Sequence, residues 1–385
     1  MVQSEQTVIY LDNAATTFPK PREVYRKWSD AMNVCGANPG RSGHEFSMKT
    51  AEEVFKSREI CADYFGANAE NTVFTLNCTH ALNFAIKGLA KDGCNFVTSD
   101  MEHNAVIRPV FAASEKYGGS CTLFELSADT EQTVKNAERA LKADTAALIC
   151  TAASNVTGLR APIEELAEMC RKHGVCFILD AAQGAGVLPI SLETGANIIC
   201  AAGHKGLYGP MGTGLMISDG EFPLETIIEG GTGSVSESIL QPDFPPDRFE
   251  SGTINTAGVV ALGEGVNFVK RREDTILSHE LMLCERFCRA VSRIDGIILY
   301  NKITRQNSDK FAPVVSFNFE RYSSEEGARR LSDFGIYMRG GLHCAPLAHK
   351  KIGTINGGTI RFSPSVFTTA REVDYVVTVL RRICA

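Results

Sequence analysis

Two residues of opposite charge stand where apolar runs end. Val175-Cys-Phe-Ile-Leu179 closes on Asp180, and Asn197-Ile-Ile-Cys200 leads to Gly203-His-Lys205, so the lysine follows the acid by 25 residues. A lysine able to form a Schiff base and an acid that keeps a pyridine nitrogen protonated are what a pyridoxal phosphate site requires, together with donors for the phosphate. Asn77-Cys-Thr-His80 lies between the run Val73-Phe-Thr-Leu76 and a helical stretch. N–H groups at such a helix start can serve a phosphate. Taken singly, Asp180 could cap a strand and Lys205 could be a solvated loop lysine. On neighbouring strand ends of one sheet they form a pair with a purpose.

Cys344 is the candidate nucleophile. It follows His343 and the pair Gly340-Gly341, which permits an unusual backbone. A free thiol has a pKa near about 8.5, so attack needs electropositive neighbours, and Arg339 and His343 are the candidates. The chain holds thirteen cysteines, with no Cys-x-x-Cys; the nearest pair, Cys284 and Cys288, is four apart. A metal or iron–sulfur scaffold is the non-enzymatic alternative, and it would need clustered ligands. An odd number of thiols without a secretion signal argues against a disulfide framework. Cys150, Cys176 and Cys200 lie in apolar runs and read as small core hydrophobes.

The elements that must carry these residues read as a parallel sheet. Ala146-Ala-Leu-Ile-Cys150 predicts a buried strand, and Pro162 opens a helix with Glu164 and Glu165 in its first turn and Gly174 past its end. Val175–Leu179 is the next strand. Strand, helix and strand with continuous apolar strands predict an α/β fold with a mostly parallel sheet covered on both faces. Ligands of such sheets bind at the carboxyl ends of the strands. Pro242, Pro245, Pro246 and Gly252 mark a long loop before helices over 259–272 and 275–293, and Pro313–Phe319 is strand-like. The expected division is an N-terminal segment 1–15 packing with a small domain, a large domain 16–258 and a smaller α+β domain 259–385. Walker and Gly-x-Gly-x-x-Gly motifs and His-Glu-x-x-His are absent from the sequence.

Composition narrows the class. The 385 residues carry 39 Lys and Arg against 45 Asp and Glu, a formal charge of −6, with 44% hydrophobic and 22% charged residues. That balance fits an ordinary globular enzyme rather than a nucleic-acid or anionic-membrane binder. No apolar run reaches the roughly 18 residues of a membrane helix. The first residues lack the features of a signal peptide, and a cytoplasmic location is expected.

Tyr10-Leu-Asp-Asn-Ala-Ala-Thr-Thr17, Glu102-His103-Asn104, Asp180-Ala-Ala-Gln183, Gly203-His-Lys205 and Arg339-Gly-Gly-Leu-His-Cys344 occur in the order of the cysteine desulfurase family. The chain resembles these class V, fold-type I pyridoxal phosphate enzymes over nearly its whole length. The Arg-x-Gly-x-His-Cys loop is similar to that of the group II, selenocysteine-lyase-like branch. The resemblance implies that Lys205 holds the cofactor and moves the Cα proton. Asp180 would pair with the ring nitrogen, Gln183 would bond the phenolic oxygen, and His103 would stack on the ring. Cys78, Thr79 and His204 would serve the phosphate, with Thr253 reaching it from the partner of a homodimer. Asn155, Ala15, Arg339 and Arg361 would receive the substrate, Arg361 clamping its carboxylate. Relatives often have Ser where Ala202 stands, and Gly-Thr-Thr-Glu in place of Asn77-Cys-Thr-His80. The stretch around Arg41 and His44 lacks the His-Arg pair of some group II members.

The implied reaction converts L-cysteine to L-alanine with sulfur passing to Cys344 as a persulfide, and then to a sulfur-acceptor protein. Selenocysteine lyase activity on L-selenocysteine, or another class V reaction, is the alternative.

Overall fold

The structure is a computed structural model, and it describes residues 8–39 and 43–385. A short strand, β1 (Ile9–Tyr10), leads through a turn to the helices α1 (Arg22–Val34) and α2 (Glu45–Tyr64). Alternation then sets in with β2 (Thr72–Thr75), α3 (Cys78–Gly88), β3 (Asn95–Ser99), α4 (Asn104–Lys116), β4 (Ser120–Phe124) and α5 (Thr130–Ala140). It continues with β5 (Thr145–Thr151), α6 (Ile163–His173), β6 (Cys176–Asp180), β7 (Ile198–Ala202) and β8 (Gly214–Ser218). A long irregular stretch separates β8 from α7 (Thr256–Lys270) and α8 (Glu273–Val291). The last elements are β9 (Ile297–Leu299), β10 (Val315–Phe319), α9 (Ser324–Ser332), β11 (Ile336–Tyr337), α10 (Pro346–Lys351), β12 (Ile360–Phe362) and α11 (Ala370–Cys384).

Seven strands form one sheet in the order β2-β8-β7-β6-β5-β3-β4, and β8 alone runs antiparallel to its neighbours. The predicted α/β fold with a mostly parallel sheet is therefore the observed one. Its strands read Ala-Leu-Ile-Cys and Cys-Phe-Ile-Leu because both faces are covered: β6 is buried along its whole length. One face packs a core that includes Leu148, Leu179, Ile199 and Leu262, the other a core that includes Ile149, Ile178 and Cys200. Gly174 ends α6 in the left-handed region, φ 64°, where a side chain would cost more than glycine does.

A second unit surrounds the three-stranded sheet β12-β10-β9 and the pair β1-β11. Ile9 and Leu11 from the beginning of the chain lie in its core beside Phe287 of α8, Phe317 of β10 and Phe362 of β12. Phe287 stacks on Phe362 with ring centroids 4.2 Å apart. The residues between β1 and α1 then cross back to the large sheet. Thr16, Thr17 and Lys20 all donate side-chain hydrogen bonds to the His204 carbonyl, at 3.1, 3.2 and 2.7 Å. The strand end that carries Lys205 is thus held by the first described residues.

Candidate active site

The carboxyl ends of β5, β6 and β7 open on a cavity of about 280 Å³. Cys78, Thr79, His103, Asn155, Asp180, Gln183, His204 and Lys205 all line it. β6 delivers Asp180 and β7 leads to Lys205, as the apolar runs predicted. The start of α3 supplies Cys78 and Thr79, and the residue before α4 is His103.

Asp180 is oriented on one side only. Its Oδ1 accepts from the Ala182 N–H at 2.9 Å and from the Cys78 thiol at 3.4 Å. Oδ2 has no partner among the described residues and faces the cavity. Burial lowers the pKa of the Lys205 amine while Asp180 opposes the shift. A less protonated amine is the form that condenses with an aldehyde. His103 accepts the Ala105 N–H on Nδ1 at 3.0 Å, and burial takes its pKa down to about 4, so the ring is neutral near pH 7. His204 is likewise drawn down to about 4 by burial.

These residues fit pyridoxal phosphate. His204 lines the cavity, and its Nδ1 is buried without a hydrogen-bond partner among the described residues, a polar atom left for a group that these residues do not supply. A Cβ on Gly214 would lie 2.7 Å from Asn77 Cα, so the loop before α3 seats on β8 only because that residue is glycine. Gln183 lines the cavity, and its Nε2 also donates to the Ala14 carbonyl at 2.9 Å. Ala15, the residue after that carbonyl, does not line the cavity.

Of the residues expected to receive substrate and sulfur, Asn155 lines this cavity, whereas Arg361, Arg339 and Cys344 do not. Arg361 in β12 is 1% exposed; its Nη2 contacts Asp12 Oδ1 at 2.6 Å and its Nη1 donates to the Asn155 carbonyl at 3.2 Å. Its Nε has no partner, which leaves one donor of the guanidinium fork free. Arg339 bridges to Arg361 through the backbone and is exposed.

The loop from Arg339 to Cys344 is pinned. Asn155 Nδ2 donates to the His343 carbonyl at 2.8 Å, and the Asn104 N–H donates to the Cys344 carbonyl at 2.7 Å. His343 and Cys344 are consecutive residues in the left-handed region, φ 49° and 56°, a strained arrangement that surrounding bonds must maintain. Of the thirteen thiols ten are buried and two half-buried; Cys344 is the exposed one.

One expectation about its neighbours is overturned. His343 is not an electropositive neighbour of Cys344: its side chain is buried, with Nε2 against the Thr359 carbonyl at 2.9 Å. Burial and the Arg361 charge push its pKa down to about 2. Arg339 is the remaining candidate of that pair. Thr253 does not line the cavity of its own chain; it lines a separate one beside Phe55 of α2. Arg41 lies outside the described residues.

Two residues of the site had not been singled out. Asp12 holds Arg361, although it stands in the Tyr10–Thr17 motif. Glu102, next to His103, is fully buried and receives the Thr151 N–H at 2.8 Å and the Ser99 hydroxyl. Burial raises its pKa to about 8. An acid in the midst of an otherwise polar motif was the available signal for both.

The model of the aminotransferase class-V family matches residues 9–376. The chain belongs to that family. It is 31% identical to a probable cysteine desulfurase of Pyrococcus abyssi, over 98% of this chain and 94% of the relative. A cysteine desulfurase IscS of Dictyoglomus turgidum is 27% identical, over 97% and 94%. Among solved structures, the apo cysteine desulfurase of Thermococcus onnurineus superposes with a TM-score of 0.90 at 30% identity, covering 98% and 94%. As a class-V member this chain has its sheet, its Lys205 strand end and its Cys344 loop inside the matched region.

Proposed function

We propose that this class-V protein is a pyridoxal phosphate-dependent cysteine desulfurase, which converts L-cysteine to L-alanine and takes the sulfur onto Cys344. The observation that carries this reading is the convergence of Lys205 and Asp180 in one cavity whose rim is bonded to the loop of the exposed thiol. Lys205 would hold the cofactor covalently, Asp180 Oδ2 would face its ring nitrogen, and Thr79 and His204 would receive its phosphate. When bound, the cofactor supplies an electron sink for the Cα–H bond and weakens the bond from Cβ to sulfur.

The chain's own residues account for the rest. Arg361 and Asn155 would bind the substrate carboxylate, and His103 would pack against the cofactor ring. Lys205, once released, moves the Cα proton. The Cys344 thiolate attacks the substrate sulfur; the Cβ–S electron pair stays with carbon, which takes a proton. The balance is L-cysteine plus thiol giving L-alanine plus persulfide, with no external oxidant. A sulfur-acceptor protein then removes the sulfur.

A homodimer belongs to the same proposal, with Thr253 reaching the partner's phosphate site. Its support is the exposed apolar pair Ile239, 100% exposed, and Leu240, 75% exposed, whose neighbour Gln241 bonds Ser251, two residues before Thr253. Among the described residues no helix is long and apolar enough to cross a membrane, and a cytoplasmic setting is part of the proposal.

The test is a visible spectrum of the purified protein before and after L-cysteine, with alanine and sulfide assayed in the same tube. Substrate-dependent absorption with alanine formed supports the reading. Absorption without alanine moves the substrate to another amino acid, and no cofactor uptake overturns the assignment of Lys205.

A further inference from the structure

Cys78, the first residue of α3, places a buried thiol at the wall of the cavity. It is 6% exposed, and its Sγ lies 3.4 Å from Asp180 Oδ1 and 3.3 Å from the Cys200 carbonyl. Both acceptors sit side by side, because Asp180 and Cys200 are register partners on β6 and β7. Buried near this carboxylate, the thiol is held well above its ordinary pKa, chiefly by burial and then by Asp180. It stays protonated and is a donor rather than a nucleophile.

Two consequences follow from the geometry. The thiol and the Ala182 N–H together occupy Oδ1, so the carboxylate presents Oδ2 to the cavity. The same thiol belongs to the first residue of α3, whose N-cap Asn77 side chain accepts the His80 N–H at 2.9 Å. The helix start that would cradle the phosphate is therefore tied by one side chain to the acid that would face the ring nitrogen.

We propose that Cys78 is a positioning residue for the cofactor: its thiol fixes the orientation of Asp180 and the spacing between that carboxylate and the phosphate cradle at the start of α3. The inference rests on the pyridoxal phosphate reading of the cavity. A hydrogen bond to a charged group is worth enough that Cys78→Ala should bind pyridoxal phosphate about threefold to tenfold more weakly, by absorbance titration of the apoprotein. The second measurement needs no cofactor. The infrared S–H stretching band of Cys78, isolated as the difference between unmodified protein and Cys78→Ala, should shift to higher frequency in Asp180→Asn as the acceptor loses its charge. An unmoved band overturns the proposal, because the thiol then bonds only to the Cys200 carbonyl. Equal cofactor affinity in Cys78→Ala and the unmodified protein overturns it as well. Failure of the unmodified protein to take up any pyridoxal phosphate would instead refute the reading of the cavity, while the band still reports on the thiol and Asp180.

Discussion

Arg361 Nη2 and Asp12 Oδ1 lie 2.6 Å apart although 349 residues of chain separate them. Arg361 is almost wholly buried and Asp12 is 20% exposed, so the acid lies at the rim and the base beneath it. Burial draws the guanidinium down and Asp12 holds it up. With Nη1 on the Asn155 carbonyl, the fork is oriented before any substrate arrives.

Removing the acid should therefore cost stability first. Asp12→Ala leaves a buried cation without its partner, a loss of about 3 kcal/mol, seen as a lower denaturation midpoint of the apoprotein. Arg361→Ala should raise KM for L-cysteine by at least about tenfold, and an unchanged KM would remove Arg361 from the carboxylate site.

Cys344→Ala should lower alanine and persulfide formation from L-cysteine by at least about a hundredfold and leave cofactor absorption intact. Full activity would mean another thiol attacks, and the other twelve are buried or half-buried. The same variant offered L-selenocysteine separates the two chemistries. Turnover retained there would mean selenium departs without the thiol.

Lys205→Ala should carry no covalently held cofactor, read as loss of the visible band and of the mass added after borohydride reduction. Asp180→Asn keeps the shape but removes the charge. Activity should fall by at least about a hundredfold while some cofactor remains bound.

Glu280 supplies a pH test at a second, small cavity that it lines with Lys205 and Gln183. This acid of α8 is buried against Tyr208, and burial raises its pKa to about 8 from an ordinary 4.5. Between those values the folded state binds a proton that the unfolded state has lost, so Glu280 makes stability fall as pH rises from about 4.5 to 8. Above pH 8 the contribution is level. The stability of Glu280→Gln relative to the unmodified protein should thus rise by at least about 1 kcal/mol between pH 5 and pH 9, measured by denaturation at both values.

The central sheet was legible because continuous apolar runs such as Cys176–Leu179 leave no alternative to strands covered on both faces. Asp180 and Lys205 were legible for the same reason, since each run points its polar residue toward the carboxyl edge. Burial of a particular side chain was not: nothing in Leu342-His-Cys344 says that the imidazole turns inward and stays neutral while the thiol faces out. Pairings over long separations were equally hidden. Asp12 sits in a motif that was read, but its partner is set by β1 docking beside β11, a register with only two residue pairs. The packing of α7 against α1 and α2, and of α8 against the small sheet, joins residues far apart in sequence and was hidden in the same way.

The docking of β1 on β11 has a further meaning for a chain made from one end. Ile9 and Leu11 are synthesised well before their core partners Phe317, Ile336 and Phe362. Arg361, which Asp12 awaits, follows it by 349 positions. A growing chain can assemble the sheet that holds Lys205 while it is still attached to the ribosome. It cannot close Asp12 onto Arg361 until β12 has followed, so the two units are completed in turn.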